Sequence, residues 1–332
     1  MKTAHTLATV RAEHRLSREE DGYPREQQRV HEAEPGKHVS VMLREVLLQL
    51  VIKDGELVVD ATAGSGGHTE AILATTGARV LALDADAAAV ERTRVRVASY
   101  GARAEVVEAN FKDLEKVLKH AGLKTIDKAL FDLGWNREQL AAGKGFSFLV
   151  DEPLNMSYGA KPASGFTAAE VVNDWKEEVI ADVLYGYGEE TYARRIAKAI
   201  VERRAVKPIE TTVELSEIIK DAVPAAYRRG RLHPATRSFQ AIRIAVNAEI
   251  TNIEAGVTAA WAHLSEGGRI AVITFHSIED RAVKRLFLSL AKEGGRLVVK
   301  KPLVPSREET LTNPSARSAK LRVIEKTAGA TK

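Results

Sequence analysis

Short apolar runs that end in an acid alternate with stretches of helical period through the first half of the chain. Leu57–Asp60, Arg79–Asp84, Ala104–Glu108 and Lys128–Phe131 followed by Asp132 read as buried strands. The stretches Thr69–Leu73 and Ala85–Ala98 between them read as helices. This βα alternation is the pattern of a parallel sheet covered on both faces. Ahead of it, His38–Gln49 gives an opening segment and a helix, with Val41, Leu43, Val46, Leu47 and Leu50 on one face.

The period then changes. From about 143 to 236 it is helical, over Ala168–Val172, Lys176–Tyr185, Thr191–Glu202 and Val213–Ala222, and no strand is expected there. One long helix is expected from Ser238 to about Leu264, stopped by Glu266-Gly267-Gly268. Arg269–Phe275 resumes a buried strand, and Arg296–Lys300 with Leu321–Ile324 supplies further strands or a hairpin. The expected fold is α/β, a mostly parallel sheet with an inserted helical domain after its fourth strand. The sheet domain is discontinuous, residues 38–142 and 237–326, and the insertion is 143–236. Residues 1–37 mix Arg and Glu with few apolar positions and read as a flexible extension, and 327–332 as a tail. The extension lacks a signal peptide's apolar core, and its acids argue against a transit peptide.

The turn after the first strand carries the first chemistry. Asp60-Ala61-Thr62-Ala63-Gly64-Ser65-Gly66-Gly67-His68 places glycines where a backbone packs closely against a ligand. A dinucleotide fingerprint would follow its strand directly with glycines that cradle a pyrophosphate. Here an acid intervenes, which suits a cationic or zwitterionic adenosyl ligand better and disfavours a dehydrogenase. Asp84 ends the second strand beside that loop, where a carboxylate accepts both hydroxyls of a ribose. Its other reading is an ordinary cap for the helix that follows. Asn110-Phe111 and Asp132 add polar and aromatic groups at the same edge.

Composition narrows the field. The 332 residues are 45% apolar and carry a net charge of +4, compatible with nucleic acid without demanding it. Cysteine is absent, which removes disulfides, thiolate nucleophiles and cysteine zinc sites together. No apolar run reaches the length of a membrane span. A cytoplasmic protein without membrane contact is expected, and no metal-ligand constellation stands out.

Further motifs occur in order: Asp132-Leu133-Gly134, Gln139-Leu140, Gly145-Phe146-Ser147-Phe148, Tyr187-Gly188-Glu189-Glu190, Arg194-Arg195-Ile196-Ala197, His233-Pro234-Ala235-Thr236-Arg237, Phe239-Gln240-Ala241-Ile242-Arg243-Ile244, Phe275-His276-Ser277-Ile278-Glu279-Asp280-Arg281 and Ser318-Ala319-Lys320-Leu321-Arg322. Together with the glycine turn they make residues 38–326 resemble the bacterial 16S ribosomal RNA cytosine-N4 methyltransferase (MraW/RsmH) family. The resemblance implies a class I (Rossmann-like) methyltransferase sheet with a helical insertion and S-adenosyl-L-methionine as cofactor. It also implies methylation of a decoding-region cytosine in the 16S rRNA of the small ribosomal subunit. The matching cofactor positions are Gly64, Gly66, Gly67, His68, Asp84, Phe111, Asp132 and Gln139. Asp84 would take the ribose, Phe111 would flank the adenine, and Asp132 and Gln139 would lie near the sulfonium.

The departures fall on the acceptor side. Trp135, Asn136 and Arg137 stand where the family has a small residue and two serines. Asn155 and Ser157 replace an acid and a cation, and Ser315 replaces another cation. The expected acceptors for the cytosine amine are Asp132, Asn136 and Asn155. Trp135 either stacks a flipped cytosine or plugs the base of the insertion. RNA contacts are expected from Arg228, Arg229 and Arg231, from Arg317 and Lys320, and from His276, which lines the base pocket or caps the next helix. The His276-Ser277-Asp280 set is not read as a hydrolase triad, because no nucleophile elbow accompanies it. Glu189-Glu190 reads as a pair exposed or bridged to Arg194 and Arg195. The departures motivate one alternative, a ribosome-binding assembly factor with weakened catalysis. Monomer and homodimer are equally compatible with the sequence.

Overall fold

The computed structural model describes residues 40–133, 143–158 and 162–327. Trp135, Asn136 and Gln139 lie outside the described residues, as do the 1–37 extension and the last tail residues. In chain order, α1 (Leu43–Leu50) leads into β1 (Leu57–Asp60), α2 (Gly67–Thr75), β2 (Arg79–Asp84), α3 (Ala87–Val97), β3 (Ala104–Glu108), α4 (Leu114–His120) and β4 (Ile126–Asp132). The longer helices that follow are α5 (Ala168–Asp174), α6 (Glu177–Gly188), α7 (Ala193–Arg204) and α8 (Thr212–Ala222). After them come α9 (Thr236–Val246), α10 (Glu249–His263), β5 (Leu264–Thr274), α11 (Ser277–Leu290), β6 (Gly295–Leu297) and β7 (Lys320–Lys326).

The strands form one sheet in the order β3-β2-β1-β4-β5-β7-β6. β1 pairs in parallel with both β2 and β4, and β5 with β4, whereas β7 runs antiparallel to β5 and β6. Alternation along each strand loads both faces with apolar side chains. Val59, Leu81, Phe131 and Val272 pack with Ile253 and Val257 of α10 and Phe287 of α11. On the other face, Leu130, Ala271 and Ile273 pack with Val46 and Leu50 of α1, and Val58 and Val80 with Ile72 and Leu73 of α2.

Between β4 and β5 a second core is built mostly from helices, with no strand contributing among the described residues. Val171, Ile180, Leu184, Ile196, Ile200, Leu215 and Ile219 meet there with Phe239, Ile242 and Val246 of α9. α9 therefore shares the core of the preceding helices, whereas Ile253 and Val257 of α10 pack on the sheet. The expected single helix from Ser238 to Leu264 is broken at Asn247–Ala248. Ala248 is left-handed (φ 49°), and the Asn247 side chain donates to the Met156 carbonyl at 2.8 Å and accepts from Tyr158 N–H at 2.9 Å. Those long-range bonds outweigh a helical propensity that runs straight through. Of the acidic pair, Glu189 is exposed as expected and Glu190 is not. Glu189 caps α6 and binds Arg281 and the Ser277 hydroxyl rather than Arg194 or Arg195. Glu190 is fully buried and accepts from the Tyr227 hydroxyl at 2.8 Å.

One glycine is required by packing under the site. A Cβ on Gly256 of α10 would sit 2.7 Å from the Phe111 ring and 3.2 Å from Phe131. Gly256→Ala is therefore expected to cost about 1–3 kcal/mol by overpacking. The Phe111 carbonyl oxygen would also lie 2.9 Å away; thermal denaturation checks the cost, and an unchanged midpoint would show that the Phe111 backbone and both rings yield freely.

Candidate active site

Chain order reverses between β1 and β4, so the crevice outside the carboxyl ends of these strands is where an open α/β sheet binds its ligand. The acid that ends β1 does not face that crevice. Asp60 is 0% exposed and accepts from the Thr69 hydroxyl at 2.6 Å and from Thr62 N–H at 3.2 Å. It ties the turn to the start of α2, which corrects the expectation that its charge addresses the ligand. Burial raises its pKa from an ordinary 3.8 to about 6, against the opposing effect of those hydrogen bonds.

Between those two pKa values the folded chain holds a proton that the unfolded chain has released. Stability is therefore highest below about pH 4 with respect to this group, and falls as pH rises toward 6, by on the order of 3 kcal/mol. Asp60→Asn should flatten that slope in denaturant titrations run from pH 4 to 7. A profile identical to that of the unaltered protein would contradict it.

The glycine turn is organised from β2. Gly64 (φ 56°) donates its N–H to Asp84 Oδ2 at 2.8 Å, and Asp86 N–H donates to Asp84 Oδ1 at 2.9 Å. The cap of α3 is Asp86, which accepts from Ala88 N–H at 3.2 Å, so Asp84 is not the cap of the following helix. Burial raises the Asp84 pKa, with the two N–H bonds opposing. Gly66 and Gly67 have neighbours within the protein: a Cβ on Gly66 would lie 3.1 Å from Thr93 Oγ1, and one on Gly67 would collide with Ser40 Oγ. At Gly64 an added Cβ would meet nothing within 4 Å, and this is where the turn opens outward.

β4 closes the other side. Asp132 N–H donates to the Thr62 hydroxyl at 2.6 Å, and Asp132 Oδ2 is 3.7 Å from Nδ1 of His68. His68 is buried at the start of α2, with Nε2 3.1 Å from the Val41 carbonyl. That contact assigns the ring proton to Nε2 in the neutral tautomer. Phe111 follows β3, half-buried, and meets Phe131 edge-on at 5.7 Å. Gly64, Gly66, Gly67, His68, Asp84 and Asp132 thus converge on the ends of β1, β2 and β4, with Phe111 beyond β3.

The remaining candidates divide. Asn155 is exposed, and its Oδ1 accepts from Ser157 N–H at 3.2 Å in the segment leading to the helical core. Arg228 bonds the Val223 carbonyl at 3.1 Å and lies 3.7 Å from Asp221, while Arg229 and Arg231 are exposed in the turn beyond. His276 does cap α11, with Nδ1 accepting from Glu279 N–H at 3.3 Å. It also lines a cavity of about 450 Å³ together with Arg317 and Lys320.

Sequence reading missed the buried network behind His276. Arg243 grips Glu249 with two bonds of 2.8 and 3.0 Å, and the Tyr158 hydroxyl donates to Glu249 at 2.9 Å. His276 Nε2 is 3.2 Å from Glu279 Oε1. Burial holds the Tyr158 pKa well above its usual value. Burial alone would lower the Arg243 pKa, but the Glu249 carboxylate outweighs it and the pKa is raised. Glu249, His276 and Glu279 are close enough to hold a metal ion, but the Arg243 guanidinium already occupies both Glu249 oxygens. The available signal was an arginine on the apolar face of α9; its partner across the helix break was not readable.

Comparison with known proteins completes the picture. The sequence profile of the MraW methylase family matches residues 36–327. A protein of Brevibacillus brevis named ribosomal RNA small subunit methyltransferase H is 43% identical over 308 residues, spanning 87% of this chain and 98% of its own. Proteins of the same name from a Paenibacillus species and from Carboxydothermus hydrogenoformans are 44% and 45% identical, again over 87% of this chain and 99% and 97% of theirs. Among solved structures, an rRNA methylase from Streptococcus thermophilus aligns at TM-score 0.41 and 14% identity, covering 86% of this chain and 95% of that one. With the profile covering nearly all of the described residues and the relatives matched end to end, the chain belongs to the MraW methylase family.

Proposed function

We propose that this protein transfers the methyl group of S-adenosylmethionine to the exocyclic N4 of a cytosine in the decoding region of 16S ribosomal RNA. The observation that carries this reading is the 43–45% identity, over 87% of the chain, to relatives named as small-subunit ribosomal RNA methyltransferases.

The donor set fits the cofactor. Each Asp84 oxygen spends one lone pair on a backbone N–H and keeps another, which suits the two hydroxyls of a ribose. The outward-opening turn at Gly64 leaves room for the amino-acid end, and Phe111 offers an apolar flank to the adenine. His68 and Asp132 meet at the tip of β4, and Gln139 joins this set in the proposal. Bound there, the cofactor supplies an electrophilic methyl group on a sulfonium.

The rest is the work of the chain. N4 has its lone pair delocalised into the ring, so the protein must align it and draw its hydrogens toward acceptors. As the nitrogen gains the methyl group it becomes strongly acidic, and Asp132 receives the proton, with Asn136 and Asn155 as hydrogen-bonding acceptors. Trp135 stacks the flipped base. Methylation at a pyrimidine ring carbon ordinarily proceeds through a covalent thiolate adduct, and this chain has no cysteine to form one. That favours the amine. Among the described residues no helix is long and apolar enough to cross a membrane. Small ribosomal subunits place the reaction in the cytoplasm.

The test uses labelled cofactor and small subunits that lack the modification. Label entering 16S RNA supports the proposal. Tight subunit binding without incorporation would replace it with the assembly-factor reading.

A further inference from the structure

We propose that the cavity beside the end of β5 and the start of β7 is a pocket for one ribonucleotide that flanks the target cytosine, an inference that rests on the RNA-methylating reading above. Its volume, about 450 Å³, lies in the range of small-molecule sites. Phe275, His276, Ser277, Arg317, Ser318 and Lys320 contribute to its lining, which contains no carboxylate.

The charge is unbalanced. Among the described residues Arg317 makes no ion pair, and its side chain belongs to an exposed residue. Lys320 lies 3.4 Å from Asp280, but that acid is already held by Arg322 at 2.7 and 3.2 Å. One carboxylate therefore faces two cations, and Arg317 adds a third with no acid of its own. A phosphate on Arg317 and Lys320 restores the balance, and the guanidinium fork suits its oxygens. Phe275 and the apolar wall of Val304 and Pro305 receive the sugar or base, with the Ser277 and Ser318 hydroxyls as polar partners.

Position decides which nucleotide this is. Ile273 pairs with Asp132 across β4 and β5, and Thr274 pairs with Lys320 across β5 and β7. Two strand spacings, roughly 10 Å, separate Lys320 from the β4 tip. Reacting atoms need an approach of about 3–3.5 Å, so the cavity does not seat the base that is methylated. It seats a neighbour on the same strand. The Arg243–Glu249–Glu279 network fixes the His276 ring that lines the cavity.

The test measures binding of a fluorescein-labelled single-stranded RNA spanning the target cytosine, by anisotropy over a salt series. Arg317→Ala combined with Lys320→Ala is compared with Lys198→Ala combined with Lys292→Ala, which removes equal charge elsewhere. The pocket variant is expected to bind about tenfold more weakly and to lose about 0.7 from the salt slope, the signature of one single-strand phosphate contact. The control should stay within about twofold of the unaltered protein, and both variants should keep cofactor affinity. Arg317→Glu alone, on an exposed side chain, should weaken RNA at least as much and guards against damage to the strand end. Equal losses in pocket and control variants, or no loss with Arg317→Glu, would overturn the inference. If the unaltered protein methylates subunits while the pocket variants match it, this inference alone fails. If the unaltered protein transfers no methyl group, the proposed function itself fails.

Discussion

Asp84→Ala is expected to weaken S-adenosylmethionine binding at least 10²-fold. Two ribose hydroxyls donating to an ionised carboxylate are worth about 1.5–3 kcal/mol each, because both bonds are charge-assisted. The substitution also strips the Gly64 N–H of its acceptor and so loosens the turn against which the cofactor packs. Asp84→Asn separates the two effects. It keeps the shape and one accepting oxygen, so it should fall between the unaltered protein and the alanine variant. Titration calorimetry with the cofactor reads all three, and an alanine variant within threefold of the unaltered protein would remove the ribose assignment.

Asp132→Asn is expected to lower kcat by about 10²–10⁴-fold with far less effect on cofactor affinity. This is the range for losing a positioned proton acceptor. The backbone of Asp132 is fixed by the Thr62 hydroxyl at 2.6 Å and its carboxylate faces His68 at 3.7 Å, so an isosteric amide keeps the geometry and loses the basicity. Single-turnover methyl transfer gives the chemical step directly. Asn155→Ala should cost less than tenfold, since its side chain already serves Ser157 N–H. Normal turnover in Asp132→Ala would show that the amine's proton leaves by another route.

The sequence made the sheet legible because a strand buried on both faces is a continuous apolar run, and each run ended on a polar residue. Asp84 and Asp132 were readable as strand-ending acids for the same reason. Asp60 looked identical in the sequence and differs only in depth. Its neighbours Thr69 and Thr62 hold it 0% exposed, a fact of packing that no local pattern carries. The break at Ala248 was hidden for a related reason. Residues 238–264 have an unbroken helical period, and the bend is imposed by Asn247 reaching Met156 and Tyr158, about ninety positions away. Glu249 becomes the partner of Arg243 only because of that bend. The cavity could not be foreseen as a cavity, although His276, Arg317 and Lys320 were each singled out for charge or motif.

The central claim is the atom that receives the methyl group. Small subunits lacking the modification are incubated with the protein and S-adenosylmethionine, the 16S RNA is digested to nucleosides, and the products are resolved by mass spectrometry. N4-methylcytidine from a decoding-region fragment is the expected product, absent with Asp84→Ala. A methyl group on a ring carbon or a ribose, or no methylated nucleoside at all, would contradict the account.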